Sequence, residues 1–249
     1  MTIINFEHKF IFIKTRKTAS TSVEAFLRRF SGAADVVTQL TPRDEKWCAE
    51  RGWPSRNYAV SRDAESRYVA LCQAGKFDEA LKFIESTKRI YVNHMPAHKV
   101  KSVLERHGYR WEDFYSFSIE RHPYSWVLSY LLYDNASYNV SGACELDLND
   151  INRRAVEFLE SDGFAGLLNC NFYAWEGRSL VNKVMRYESL RDDVFSVLAP
   201  LVGEPDMTDF PFLKKNASHL SPVDIFAPST LDLIRSKCGQ VLELAGYDF

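Results

Sequence analysis

Residues 14–22 have the types and order of an anion-binding turn. Cationic and small hydroxyl side chains lie between an apolar run at 10–13 and the helically spaced Val23, Phe26 and Leu27. Backbone N–H groups at a helix start lack helical partners and carry partial positive charge, so we expect a phosphate-sized group here. The residues expected to contact it are Lys14, Arg16, Lys17, Thr18, Ala19, Ser20, Thr21 and Ser22. The plainer alternative is a capped helix beside a basic surface cluster.

The boundary of that helix can also be read from the sequence. Thr21 and Glu24 have the S/T-x-x-E spacing of a capping box, which predicts a helix start at Thr21. The turn differs from the usual nucleoside-triphosphate loop G-x-x-x-x-G-K-[ST], because both glycines are missing and the lysine precedes the small residues.

A second candidate anion site follows the apolar run 114–119. Arg121 precedes Pro123, which suits the first turn of a helix, and Ser129 lies about two turns further on. An arginine fork in this position can bind a phosphate through two hydrogen bonds. Taken alone, an arginine before a proline at a helix start is more often structural. Two such turns in one chain favour a ligand that carries phosphates at both ends.

His94 is the candidate catalytic group. It follows the apolar triplet 90–92, read as a strand, and Pro96 then opens a helix. Catalytic groups of α/β proteins often stand at strand ends. His98 could pair with His94 on a metal, but Pro96 separates the two and no third ligand is near, so no metal is predicted. The alternative for each residue is a histidine with only a structural or surface role, and for His98 we favour this alternative.

Strand and helix patterns alternate along the chain. The apolar runs 10–13, 90–92, 114–119 and 183–187 read as strands, and helical spacing follows the first three. This order predicts an α/β fold with a central parallel sheet. Residues 41–88 interrupt it with two predicted helices that meet at Gly75, either an inserted lid or peripheral packing. The polar stretch 134–163 suggests no function.

Composition narrows the protein class. The 249 residues are 46% hydrophobic and 26% charged, which is typical of a globular protein. A net charge of −2 gives no basic field for nucleic acid. We predict no signal peptide and no membrane span. The five cysteines, Cys48, Cys72, Cys144, Cys170 and Cys238, are odd in number and lack a C-x-x-C pair, which favours buried thiols in a cytoplasmic protein.

The sequence Lys-Thr-Ala-Ser-Thr-Ser at 17–22 resembles the 5′-phosphosulfate loop of sulfotransferases that use 3′-phosphoadenosine 5′-phosphosulfate (PAPS). It resembles especially the loop of the heparan sulfate 2-O-sulfotransferase group and its bacterial relatives. The spacing of Arg121 and Ser129 resembles the family's 3′-phosphate site. Residues 183–190, the Asn-Ala-Ser at 216–218 and the closing Gly246-Tyr247 resemble further family segments. Asn93 replaces the glycine that precedes the family's histidine, and Val92 stands where the 2-O-sulfotransferases carry a second histidine.

The resemblance implies a single domain over 1–249 with a P-loop-like three-layer sandwich fold. It implies sulfuryl transfer from PAPS to a hydroxyl or amine of a small-molecule or saccharide acceptor, without a metal. His94 would be the general base and Lys17 would stabilise the leaving phosphate. Further nucleotide contacts are implied for Lys14, Arg121, Ser129, Lys215 and Asn216.

Two other functions stay open. One is an atypical kinase that uses ATP and Mg²⁺, with Glu120 as its acidic residue. The other is a non-catalytic binding module built on the helical hairpin. The sequence leaves the acceptor and the oligomeric state undetermined.

Overall fold

A computed structural model describes residues 2–133, 147–211, 213 and 221–248. The strands in these ranges are β1 (Thr2–Asn5), β2 (Phe10–Ile13), β3 (Val36–Val37), β4 (Tyr115–Glu120), β5 (Ala174–Trp175), β6 (Arg178–Ser179) and β7 (Lys183–Arg186). The α-helices there are α1 (Ser20–Leu27), α2 (Pro42–Ala49), α3 (Arg62–Gln73), α4 (Phe77–Ser86), α5 (Ala97–Arg106), α6 (Pro123–Tyr133), α7 (Leu148–Glu160), α8 (Phe164–Leu167), α9 (Cys170–Tyr173), α10 (Leu190–Val202), α11 (Pro222–Ile225), α12 (Pro228–Lys237) and α13 (Gly239–Ala245).

The central sheet has five strands in the order β3-β1-β2-β4-β7. Strand β4 pairs in parallel with both β2 and β7, and these pairings place Phe12 opposite Phe117 and Ser118 opposite Val184. Strand β1 is antiparallel to β2 and to β3. The α/β class is therefore confirmed. The expected parallel sheet is confirmed only for its β2-β4-β7 part, because the remaining edge is antiparallel.

Apolar side chains cover both faces of this sheet. Ile4 and Ile11 belong to the larger buried cluster, which also includes side chains from α3 to α7. Phe10 and Phe12 point into a second cluster with side chains of α1 and α10. Burial on both faces explains why the strands read as continuous apolar runs without alternation.

The prediction of a strand at 90–92 is wrong. The backbone N–H groups of Ile90 and Tyr91 both donate to the carbonyl oxygen of Tyr58, at 2.8 and 3.1 Å, and Arg89 forms an isolated bridge with Ala59. The apolar triplet therefore pairs with the inserted segment instead of the central sheet.

The inserted segment 41–88 contains three helices, α2, α3 and α4, where two were expected. The predicted stop at Gly75 is present: its φ is +75°, which glycine adopts without a Cβ clash. Tyr68 and Ile84 are buried in the same cluster as Ile11 of the sheet. This packing makes the hairpin part of the core, and the expected lid function stays a prediction.

The four cysteines within the described ranges, Cys48, Cys72, Cys170 and Cys238, are buried free thiols. Cys144 and most of the first half of the polar stretch 134–163 lie outside those ranges. The other half forms α7, whose first turn is capped by the Asp147 carboxylate. Among the described helices, none combines the length and apolar character needed to cross a bilayer.

A buried chain of charges joins the insertion to α1. The Arg28 guanidinium lies 3.0 Å from Glu24 and 3.1 Å from Glu45, and Glu24 lies 3.2 Å from the Lys14 ammonium. Arg28 also donates to two backbone carbonyl oxygens. Burial opposes its charged form, but the carboxylates of Glu45 and Glu24 raise the pKa of Arg28 above its usual value.

We expect Glu45→Ala to lower the free energy of unfolding by about 3–5 kcal/mol, because it leaves the buried Arg28 without one carboxylate. Urea unfolding measures the change. Glu50→Ala is the control: Glu50 ends the same helix and forms an exposed pair with Lys46 at 3.7 Å, worth at most about 1 kcal/mol. Equal losses in the two variants would contradict the structural importance of the buried chain.

Candidate functional site

The turn between β2 and α1 lies beside the carboxyl end of β4. The Thr15 hydroxyl donates to the carbonyl oxygen of Ile119 at 2.5 Å and is 2.9 Å from the Thr18 hydroxyl. The Ser20 hydroxyl donates to the carbonyl oxygen of Thr15 at 2.6 Å. These hydroxyls therefore shape the turn itself, and anion binding there depends on the backbone N–H groups and the cationic side chains.

The N-cap of helix α1 lies two residues earlier than the capping box predicts. Ala19, not Thr21, is the N-cap residue, and among the described residues no side chain caps the helix. The Glu24 carboxylate pairs with Lys14 and Arg28 instead of the first turn. The capping-box interpretation is therefore wrong, and no side chain in the described part of the chain caps the N–H groups of the first turn.

The backbone is strained at this site. Lys17, Ala19 and His94 have φ values of 61°, 54° and 54°, in the left-handed region that non-glycine residues rarely adopt. Asn57 and two other non-glycine residues share this feature within the described ranges. Such strain persists only where the surrounding contacts enforce it, and it concentrates at functional sites.

Lys14 does not occupy the expected ligand-facing position. Its side chain is buried, with 4% of the residue exposed, and its ammonium contacts Thr21 Oγ1 at 3.1 Å and Glu24 Oε2 at 3.2 Å. The Ser22 hydroxyl accepts a hydrogen bond from the Leu213 N–H. Lys14 thus fixes α1 against the turn, and its contact with a nucleotide stays a prediction.

Arg16 and Lys17 are the partly exposed cations of the turn. The Arg16 guanidinium lies 5.2 Å from the ring centroid of Phe172, and the Lys17 ammonium lies 5.7 Å from that of Tyr130. Tyr130 is on α6, so Lys17 extends toward the helix that follows Arg121.

Arg121 brings the second candidate anion site against the first. Its Nη1 donates to the carbonyl oxygen of Lys17 at 3.3 Å, and its guanidinium carbon is 4.1 Å from the ring centroid of Tyr187. Its buried Nε has no hydrogen-bond partner among the described residues. Ser129 is buried on α6 next to Tyr130. The structure thus joins the two turns, while direct cooperation of Ser129 with Arg121 stays a prediction.

Asn169, which no sequence pattern singles out, binds the turn from a distant part of the chain. Asn169 Oδ1 accepts from the Arg16 N–H at 2.8 Å, and its Nδ2 donates to the Arg16 carbonyl oxygen at 3.0 Å and to Glu120 at 3.1 Å. Two hydrogen bonds to one backbone residue hold it in a single position. A lone asparagine in the sequence carries no signal for this contact.

Glu120 is the carboxylate behind this arrangement. It is fully buried and accepts hydrogen bonds from the Arg121 N–H, Asn169 Nδ2 and the Tyr173 hydroxyl. Burial raises the pKa of Glu120 to about 7, although these hydrogen bonds favour its charged form. Both of its oxygens are occupied by donors, so the carboxylate positions Arg121 and Asn169.

Glu188, in the segment that follows β7, supports the Arg121 turn. Glu188 accepts from the His122 N–H at 3.0 Å and from the Tyr247 hydroxyl at 2.6 Å, and that hydroxyl is also 3.1 Å from the Glu120 carbonyl oxygen. Lys215 and Asn216 lie outside the described residues.

His94 lies against the first turn. Its Nδ1 is 3.3 Å from the Lys14 carbonyl oxygen, and since a carbonyl only accepts, Nδ1 carries the proton and Nε2 keeps the lone pair. The ring centroid is 5.7 Å from that of Phe172. Burial, together with positive charges that include Lys14 and Arg16, lowers the pKa of His94 to about 2. The ring is therefore neutral at physiological pH.

His98 has a different environment. Its ring stacks on Trp175, with 4.1 Å between the ring centroids. Within the part of the chain that the structure describes, no group of three or more His, Cys, Asp or Glu side chains could hold a metal ion.

Comparison of the chain with protein-family models, with curated proteins and with solved structures gave no significant match.

We expect the low pKa of His94 to appear in the pH dependence of stability. The unfolded chain binds a proton near pH ~6.5 that the folded chain does not, so acidification destabilises the fold. The free energy of unfolding of the wild type should decrease more steeply than that of His94→Gln between about pH 7 and pH 5. Urea unfolding across this range tests it. Parallel pH profiles would contradict a neutral, partly buried ring.

Proposed function

We propose that the protein is a PAPS-dependent sulfotransferase that transfers a sulfuryl group to a hydroxyl or amine of a small-molecule or saccharide acceptor. The contact between Arg121 Nη1 and the Lys17 carbonyl oxygen, at 3.3 Å, carries the proposal. It joins two cationic turns that the sequence separates by a hundred residues, and His94 contacts the same first turn through Lys14. A ligand with phosphates at both ends fits this arrangement.

The sheet topology supports a nucleotide-binding fold of the P-loop-like, three-layer type. Helix α1 follows β2 and Arg121 follows β4, and these strands are parallel neighbours. Ligands of α/β proteins bind beyond the carboxyl ends of such strands. The buried free thiols and the near-neutral net charge favour a cytoplasmic enzyme that does not bind nucleic acid.

The residues present fit an anionic nucleotide. The buried Nε of Arg121 has no hydrogen-bond partner in the described part of the chain, and leaving this donor unpaired costs free energy that an anionic oxygen would recover. Arg16 and Lys17 add positive charge, and the uncapped N–H groups of α1 add donors. PAPS, when bound, supplies an activated sulfuryl group.

Different residues of the chain perform the proton transfer and stabilise the leaving group. His94 Nε2 accepts the proton of the attacking hydroxyl or amine while its Nδ1–H stays bonded to the Lys14 carbonyl oxygen. The new bond joins the acceptor atom to sulfur, and the bond from sulfur to the 5′-phosphate oxygen breaks. Lys17 and the first N–H groups of α1 stabilise the negative charge left on that phosphate. These fixed charges perform this role without a metal.

We expect Arg121→Ala to weaken binding of 3′-phosphoadenosine 5′-phosphate (PAP) by about 10–100-fold, the value of one charged hydrogen bond. Isothermal titration calorimetry of the full chain measures it. Arg110→Ala is the matched control, because Arg110 is exposed and lies before the opposite end of β4. Unchanged PAP affinity in Arg121→Ala would refute the 3′-phosphate site.

The same titrations distinguish the alternative functions. A preference for ATP that depends on Mg²⁺ would favour a kinase, and the absence of nucleotide binding would favour a non-catalytic module.

His94→Ala should separate turnover from binding. We expect PAP affinity close to that of the wild type and a loss of about 10²–10⁴-fold in turnover, because only the proton acceptor is removed. PAP release from PAPS, followed with a panel of hydroxyl acceptors, measures turnover. His107→Ala, an exposed histidine at the end of α5, is the control and should keep full activity. Full turnover in His94→Ala would eliminate His94 as the base.

A further inference from the structure

A cleft of about 470 Å³ opens between the start of α5, helix α9 and the β5–β6 hairpin. Its volume falls within the ~300–1,000 Å³ range of small-molecule sites. The residues that line it include Pro96, His98, Lys99, Asn171, Trp175 and Gln240. None of them belongs to the anion-binding turns.

Trp175 forms one wall of this cleft as a rigid aromatic platform. Half of the residue is exposed (50%), which is unusual for so large an apolar side chain. Its ring packs against the ring of His98, which also lines the cleft, with 4.1 Å between centroids and 35° between the ring planes. Positive φ values at Glu176 and Gly177 give the two-residue hairpin tip that fixes Trp175 on β5.

Polar groups surround the platform. Asn171 and Gln240 carry amides, which both donate and accept hydrogen bonds. Lys99 and Glu176 contribute one charge of each sign, so the lining has no net charge to attract a polyanion. His98 Nδ1 is buried without a hydrogen-bond partner in the described ranges. An apolar face bordered by amides matches a neutral sugar ring, whose C–H face is apolar and whose edge carries hydroxyls.

The cleft lies close to His94. Pro96 lines it and follows His94 by two residues, which limits the separation of their Cα atoms to about 7 Å. Phe172, whose ring is 5.7 Å from that of His94, follows Asn171 of the cleft directly. His94 is not itself one of the lining residues, so a ring bound on Trp175 would lie beside the segment that carries the proposed proton acceptor.

We propose that this cleft binds a neutral pyranose ring against Trp175 and presents one of its hydroxyls to His94. The binding part of this inference stands on the cleft alone, whereas the role of the sugar as sulfuryl acceptor rests on the proposed function. In the transfer, the sugar oxygen bonds to sulfur and the bond from sulfur to the 5′-phosphate oxygen breaks. The proton of the sugar hydroxyl passes to His94, and PAP leaves.

Saturation-transfer NMR on the full chain tests the binding part. The probes are methyl gluco-, galacto- and mannopyranosides and methyl N-acetylglucosaminide, at up to about 20 mM because single sugars bind weakly. We expect at least one probe to bind, and Trp175→Ala to weaken it by at least about tenfold. Trp175→Phe keeps an aromatic face and should stay within about threefold of the wild type. Phe195→Ala removes an exposed aromatic ring from α10 and should change nothing.

Three outcomes would overturn the inference. The first is that no pyranoside binds, and the second is that Trp175→Ala binds the pyranoside as tightly as the wild type does. The third is that a sulfated polysaccharide fragment competes with the probe and loses affinity in Trp175→Ala, because the cleft would then bind a polyanion. Circular dichroism and the thermal midpoint show that each variant is folded. A parallel PAP titration separates the two proposals. PAP binding without pyranoside binding would refute only the sugar site, and pyranoside binding without PAP binding would refute only the sulfotransferase.

Discussion

The buried ion chain from Lys14 through Glu24 and Arg28 to Glu45 is the interaction on which the site depends. Charges removed from water cost several kcal/mol each unless they are paired, so none of these groups can move without leaving another uncompensated. The chain connects the anion-binding turn, helix α1 and the inserted segment. The insertion thereby becomes a structural support for the turn, in addition to any contact it makes with a ligand.

This support allows the turn to keep an unfavourable backbone. Left-handed φ values at Lys17 and Ala19 cost about 1–2 kcal/mol each. Asn169 binds both backbone groups of Arg16, and Glu120 holds Asn169 in place. Contacts from both sides thus force the N–H groups and cations of the turn into position before any ligand arrives. Such preorganisation avoids the cost of ordering at the moment of binding.

Local patterns in the sequence were sufficient for much of the fold. Apolar runs predict strands β2, β4 and β7, and helical spacing predicts the helices on either side of Gly75. Both patterns involve only residues that are close together in the sequence. The 90–92 triplet was misread because its backbone pairs with Tyr58, a tertiary contact that no local pattern encodes. The antiparallel β1 escaped notice because four residues before a short turn give little signal.

The same limit applies to the site. The two candidate anion turns could be located because each is a short, contiguous motif, and their contact through Arg121 and Lys17 follows from parallel neighbouring strands. The role of Lys14 could not be predicted, because Glu24 was equally suited to a capping box and only the packed fold selects the ion pair. Asn169 acts across more than 150 residues, so it leaves no trace in any window of sequence.

The electrostatics of His94 couple the proposed base to the proposed ligand. Its pKa is low because burial and positive charges, including Lys14 and Arg16, oppose the imidazolium. A ring held in that state has little affinity for a proton. An anionic nucleotide beside Arg16 and Lys17 would offset those charges and raise the pKa of His94 toward the range of an efficient general base. Under the proposed function, the proton affinity of His94 would therefore be highest once the anionic sulfuryl donor is bound, and low in its absence.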